Sequence, residues 1–266
     1  QEPLAHKGGF LVPIWKGKLN KDVCGAFRSI LISSMVGKTL HKAMRTKQAD
    51  LYHSYLHAQQ LGGRKGVSVS LGGHLIRAFL RVFKERNQPT AVLFIDLQEA
   101  FYRVIRPLAI SGHWDDDHIA AIAARLHLDH NIMHDLKEHL LEASAVDLAG
   151  MQGAAKRAIK ALHTDTFFAL PGQHDVVRTS HGSRPGDSFA DVVFGYLMAR
   201  VLKSFEAQLA TKNILSSFPD DPQPDFHEKG FPDQTAQEIQ MVGPCWMDDL
   251  AIPLTATTNE DRKSVV

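Results

Sequence analysis

Cys245-Trp246-Met247-Asp248-Asp249-Leu250-Ala251-Ile252 decides how the chain is read. Two adjacent carboxylates stand between two short apolar runs, an arrangement that predicts a hairpin with acids at its tip. Like charges repel there, and an ionised carboxylate beside a core strand is costly without compensation. Ala91-Val92-Leu93-Phe94-Ile95-Asp96-Leu97 poses the same problem, a buried strand ending on an acid. Taken singly, Asp96 also reads as an ordinary exposed strand-end residue. The adjacent pair is harder to account for, and a divalent cation held by hard oxygen ligands would remove the repulsion. Successive strand residues point to opposite faces. If Asp248 faces Asp96, Asp249 is then a peripheral ligand.

Outward from these acids the pattern predicts an α+β protein, helices packed on a small antiparallel sheet. Residues 8–37 mix short apolar runs with Gly, Pro and Lys, as strands and loops do. Helical spacing runs from about 38 to 60, from 73 to 86, through 115–163 with a break at Gly150 and Gly153, and from 187 to 210. Asp187 or Ser188 caps the last of these. A hairpin is expected across Pro171-Gly172, and residues 211–236, rich in Pro, Asp and Ser, read as a long loop. The remaining short apolar runs are Ile239–Trp246 and Leu250–Leu254, on either side of the acids.

The chain has 266 residues, 44% hydrophobic, with a net charge of +1. That excludes a disordered chain, and no apolar run reaches the roughly 20 residues a bilayer requires. Cys24 and Cys245 make no disulfide framework and point to a reducing compartment. No signal peptide is visible, although the sequence begins at Gln1. The near-neutral total hides a division. Residues 1–86 hold 15 Lys and Arg against 4 Asp and Glu, whereas residues 87–266 hold 15 against 25. Such asymmetry suits a polyanion-binding segment, or one lobe with a solvated basic surface. His127, His130 and His134 share a helical face, read as solvated rather than as a zinc site because no Cys joins them.

Five motifs then carry a resemblance. Asp96-Leu97-Gln98-Glu99-Ala100-Phe101 resembles the first palm motif of reverse transcriptases, and Trp246-Met247-Asp248-Asp249 resembles their aromatic-x-Asp-Asp motif. Gly182-Ser183-Arg184-Pro185-Gly186-Asp187 is similar to the Gly-x-Arg-Gln-Gly-Asp stretch of the non-LTR retrotransposon enzymes. Phe27-Arg28-Ser29-Ile30 with Val36-Gly37-Lys38, and Gln60-Leu61-Gly62-Gly63-Arg64-Lys65-Gly66, resemble their finger motifs. The five occur in family order across nearly the whole chain. Pro185 stands in place of Gln, Trp246 in place of Tyr or Phe, and Gly63 in place of an aromatic.

The resemblance implies a right-handed polymerase fold, with fingers over residues 1–88 and palm over 89–266. The 17 residues after Asp249 leave no room for a thumb, so the reverse transcriptase domain is expected to be C-terminally truncated. It implies RNA-directed DNA synthesis from dNTPs on a primer 3′-OH. Two Mg²⁺ ions, with Mn²⁺ as substitute, are held by Asp96, Asp248, Asp249 and the Leu97 carbonyl. Two-metal sites of this kind stabilise both the attacking and the leaving oxygen. Arg28, Arg64, Phe101, Gly182 and Gly186 would face the dNTP, with Phe101 excluding a ribose 2′-OH. Lys38, Lys65 and Arg184 would contact nucleic acid. The partners are an RNA template, a DNA primer and dNTPs, with no membrane. Location stays open, nucleus or cytoplasm for an element of eukaryotic origin. Two alternatives stand beside this reading: a catalytically silent remnant serving as a nucleic-acid-binding module, and a reverse transcriptase of group II intron or bacterial type.

Overall fold

The computed structural model describes residues 3–110, 116–126, 129–220 and 237–255. In chain order the elements are β1 (Gly8–Trp15), β2 (Phe27–Ser33), α1 (Met35–Lys47), α2 (Ala49–Tyr55), α3 (Val69–Glu85), β3 (Thr90–Asp96), α4 (Ala100–Arg103), α5 (Arg106–Ala109), α6 (Asp116–Leu126), α7 (His130–Leu141), α8 (Ala145–Leu148), α9 (Gly153–Leu162), β4 (Thr166–Ala169), β5 (Val176–Thr179), α10 (Ala190–Thr211), β6 (Ser216–Asp220), β7 (Gln237–Met241), β8 (Cys245–Trp246) and β9 (Asp249–Thr255). The architecture is α+β, small sheets with helices, as the sequence pattern predicts. Among the described residues no helix is long and apolar enough to cross a membrane.

The chain divides into two compact units, each made of two sequence segments. The first comprises residues 1–56 and 99–197, the second residues 57–98 and 198–266. The expected fingers–palm boundary at 88/89 falls inside the second unit, between α3 and β3.

The first unit is built on a four-stranded sheet of order β2-β1-β4-β5. β1 pairs antiparallel with β2 over its whole length, Gly9 opposite Ser33 to Trp15 opposite Phe27, and parallel with β4. β4 and β5 form the hairpin expected across Pro171-Gly172. Helix α1 starts on Ser34, whose hydroxyl accepts from the Gly37 amide at 3.5 Å, the usual device for the orphan donors of a helix start. Tyr52 and Tyr55 of α2 pack their rings on Tyr196 of α10, centroids 5.3 and 5.5 Å away. Gly195 makes room for this, since a Cβ there would lie 2.1 Å from the Tyr52 hydroxyl.

The second unit carries two sheets, β3-β9-β8 and β6-β7. Helix α3, capped by Ser68, buries Ile76, Phe79, Val82 and Phe83, a 3-4 spacing that puts them on one face. Phe79 and Phe83 pack with Met241 and Phe218. The run expected as one strand over Ile239–Trp246 is broken. β7 pairs with β6, Val242–Pro244 leave the ladder, and only Cys245 and Trp246 pair with β9. Gly243 and Pro244 cause the break: Gly243 sits at φ +121° with its missing Cβ 2.0 Å from the Ala251 carbonyl, and Pro244 has no amide to donate. Part of the expected 211–236 loop is strand β6, and residues 221–236 lie outside the described ones.

Candidate active site

The acids meet in the second unit. β3 and β9 run antiparallel from Thr90 opposite Thr255 to Asp96 opposite Asp249. Directly opposed residues put their side chains on one face, so Asp96 and Asp249 share a face. Asp248 occupies the turn with Met247, whose φ of +57° closes the tight connection between β8 and β9. The register thus sets Asp249 opposite Asp96, because the turn takes up Met247 and Asp248. The Leu97 amide donates to the Asp248 carbonyl at 3.2 Å, which holds the end of β3 against the turn.

Electrostatics record the crowding. Burial, the Asp248 charge and then the Asp96 charge raise the Asp249 carboxyl above its ordinary value. Cys245 is fully buried, and burial with the charges of Asp248 and Asp249 pushes its thiol up to about 12. It is a packing residue, as its lack of a metal-ligand partner in sequence suggests. Three hard oxygen donors that repel one another fit a divalent cation by donor chemistry. Their oxygens are spread, however. Among the described residues, the trio of such side chains with donor atoms within 4.8 Å of one another is His134, Asp135 and Glu138, exposed on α7. A cation between the aspartates would draw the carboxylates inward. Of the histidine series, His127 lies outside the described residues.

The Gln59–Gly62 segment docks on this hairpin. Cys245 donates to the Gln59 carbonyl at 2.9 Å, and its own carbonyl accepts from the Leu61 and Gly62 amides at 2.8 and 3.2 Å. Gln59 also accepts from the Gly243 amide through its side-chain oxygen at 2.7 Å. Gly62 permits the approach, because a Cβ would sit 2.5 Å from the Met247 nitrogen. Arg64, expected to face a triphosphate, turns its guanidinium onto its own loop, donating to the Gln60 and His57 carbonyls at 2.7 and 2.9 Å. Lys65 is exposed. A cavity of about 460 Å³ lies against Asp96, Asp249 and Trp246 and is otherwise mostly apolar.

In the first unit the structure brings together Phe101, Gly182, Gly186 and the strand that bears Arg28. The Gly182 and Ser183 amides donate to the Val104 and Phe101 carbonyls at 2.8 and 2.7 Å, and Leu31 of β2 donates to Pro185 at 2.9 Å. Both glycines have positive φ, and a Cβ on Gly186 would sit 2.3 Å from the Leu31 carbonyl. Pro185 supplies only its carbonyl, a group every residue has. The Phe101 ring stacks on Phe194 at 4.6 Å. Tyr102 donates its hydroxyl to the Ser29 carbonyl, one residue from exposed Arg28. Lys38 is half-buried on α1.

Arg184 corrects an expectation. It is 7% exposed, donates to the Leu162 and His6 carbonyls at 3.0 and 3.1 Å, and lies 3.5 Å from Asp187. Its charge organises the loop from inside and is not presented to solvent phosphates. Asp187, the expected helix cap and the last residue of that motif, accepts from the Phe189 amide at 3.0 Å and also pairs with buried His41 at 2.8 Å. Burial raises the Asp187 carboxyl, but the His41 hydrogen bond and the charges of Arg184 and His41 bring it below its ordinary value.

Arg106 is the residue that sequence reasoning missed. Its guanidinium donates to the Gly182 carbonyl at 2.8 Å, the His163 carbonyl at 3.0 Å, Thr166 Oγ1 at 2.7 Å, and the carbonyl and hydroxyl of Thr179 at 3.2 and 3.3 Å. Burial, helped by Arg184, lowers it to about 10, still charged at neutral pH. Burial and Arg106 hold the neighbouring His163 neutral, at about 3. The only sequence signal was an Arg directly before a Pro, five residues past the aromatic of the palm motif.

No family model matches the chain, and no curated protein matches it. Among solved structures it is similar to telomerase from Candida albicans, determined in complex with the TWJ fragment of telomeric RNA. The TM-score is 0.47 and the identity 11%, over 97% of this chain. The chain spans 39% of that telomerase chain.

Proposed function

We propose that this chain is an RNA-directed DNA polymerase domain of the non-LTR retrotransposon type. One observation carries the reading: of the three aspartates in the motifs, Asp96 and Asp249, 153 residues apart, are register partners on one sheet face, with Asp248 at the adjoining turn. Asp96, Asp248, Asp249 and the Leu97 carbonyl would hold Mg²⁺, or Mn²⁺ in its place. The ions, when bound, supply charge neutralisation at the attacking and leaving oxygens. The protein's own part is to present the carboxylates on a sheet end braced by the Gln59–Gly62 segment. Phosphoryl transfer depends on such positioning more than on covalent chemistry.

Arg28 is given the triphosphate contact, since its planar fork suits phosphate and its head is exposed. Phe101, Gly182 and Gly186 are given the nucleotide, with Phe101 selecting against a 2′-OH. Lys38 and Lys65 are given the nucleic-acid backbone. RNA template, DNA primer and dNTPs are the corresponding partners, and fingers 1–88 with palm 89–266 the corresponding division.

Primer extension on an RNA template with dNTPs and Mg²⁺ tests the reading. Extension is expected and should vanish in Asp248→Ala; extension surviving that change would sink the metal assignment. A catalytically silent nucleic-acid-binding module is the second reading, favoured by the spread of the three carboxylates. Absence of extension with primer–template binding retained would favour it.

A further inference from the structure

Helix α3 presents cations that none of the motifs absorbs. His74, Arg77, Arg81 and Lys84 recur at intervals of three and four residues, so they form one stripe, and all four are exposed. The opposite face buries Ile76, Phe79, Val82 and Phe83. From residue 68 to 86 the acid is Glu85 alone, against Arg77, Arg81, Lys84 and Arg86, the last lying 3.7 Å from Glu238. Isolated surface cations need no explanation. A stripe of one sign along a helix raises the local potential for a polyanion.

Its position gives the stripe meaning. Arg77 lines the same 460 Å³ cavity as Asp96 and Asp249. Phe94, two residues before Asp96, lines it too and leaves 75% of its surface in solvent. β3 is an edge strand of its sheet. One unit thus holds carboxylates suited to phosphodiester chemistry, an exposed ring, and a line of cations leading away from both.

We propose that α3 and the Phe94 edge of β3 form a nucleic-acid track, with Arg77, Arg81 and Lys84 on consecutive phosphates and Phe94 stacking a base. This rests on the polymerase reading above and adds the surface along which a strand runs to the carboxylates. At 1.5 Å per residue, Arg77 to Lys84 spans about 10 Å of helix axis. A strand offers a phosphate every ~3.4 Å of duplex axis, so three cations meet about three phosphates. A flat ring accepts any base, so the track has no sequence preference.

The test is fluorescence anisotropy of the whole chain with a labelled single-stranded oligonucleotide, in EDTA and without dNTPs, over a range of KCl. For Arg77→Gln/Arg81→Gln/Lys84→Gln, affinity should fall and the slope of log affinity against log salt should become shallower by about 2, three contacts at ~0.7 each. Phe94→Ala should weaken binding with the slope unchanged. Arg157→Gln/Lys160→Gln, on α9 of the other unit, is the control and should bind as wild type. Wild-type salt dependence in the triple variant would overturn the track. So would an oligoglutamate peptide bound as tightly as the oligonucleotide and lost to the same degree, which would make the face a docking site for acidic protein. Catalysis is not needed for the readout. A chain that binds as expected but extends no primer refutes only the polymerase reading, and extension by the triple variant with unaltered KM for primer–template refutes only the track.

Discussion

Asp249→Asn should stabilise the metal-free protein, and the size of the gain follows from the sheet register. Asp249 stands directly across from Asp96 on β3, with Asp248 beside it in the chain. Like charges directly opposite one another on paired strands destabilise by about 0.2–1 kcal/mol, and the amide removes one while keeping the shape of the side chain. For a chain of this size that corresponds to a rise of roughly 0.5–3 °C in Tm. The pH dependence has a definite sign. The folded state raises the Asp249 carboxyl, so it binds the proton more tightly than the unfolded chain does. Wild type is therefore penalised above that raised value and recovers as pH falls through it. The advantage of Asp249→Asn should be full at neutral pH and close on acidification.

Mg²⁺ should reverse the order. A cation bound by the folded state alone stabilises wild type by about 1.4 kcal/mol at ten times its Kd, and the variant, lacking one anionic ligand, gains less. Thermal melts by circular dichroism in EDTA and in Mg²⁺, at neutral and mildly acid pH, measure all of this. An Asn variant less stable than wild type in EDTA would mean that Asp249 serves the fold. Equal responses to Mg²⁺ would refute the argument that the repulsion exists to hold a cation.

Gly62→Ala should cost about 1–3 kcal/mol, because its Cβ meets the Met247 backbone nitrogen at 2.5 Å and backbone cannot swing aside; the loss is read by denaturant titration, with faster hydrogen exchange at the Leu61 amide. Arg106→Leu should cost about 3–5 kcal/mol, since it strands buried carbonyls and threonine hydroxyls around a vacated charge site; Arg106→Lys should recover only part, its single ammonium being unable to reach all the acceptors that the guanidinium fork serves. Phe101→Ala should admit ribonucleotides in the primer-extension assay, and it should also loosen the stack on Phe194, visible as a lower Tm; unchanged sugar selection would remove its gating role.

These predictions divide along a line that also separates what the sequence disclosed from what it did not. The carboxylates were readable because each violates its surroundings: an acid ending an apolar strand and an acid pair between apolar runs are local contradictions. Their mutual register was not readable. A one-residue shift exchanges the two faces of a strand, and here the shift is set by Met247 in a left-handed turn and by the ladder break at Gly243–Pro244. Neither is dictated by residue type, since Met seldom adopts positive φ. Arg106 and Arg184 were hidden for a different reason. A charged residue is expected outside, and what reverses that for Arg106 is a set of acceptors 57 to 76 residues away in sequence. His41 and Asp187 are 146 residues apart. Buried charge pairs of this kind form only once the chain has folded, so no local pattern announces them. The stripe on α3 is of the opposite kind: exposed charges at helical spacing make a local pattern, set by the sequence within one helix.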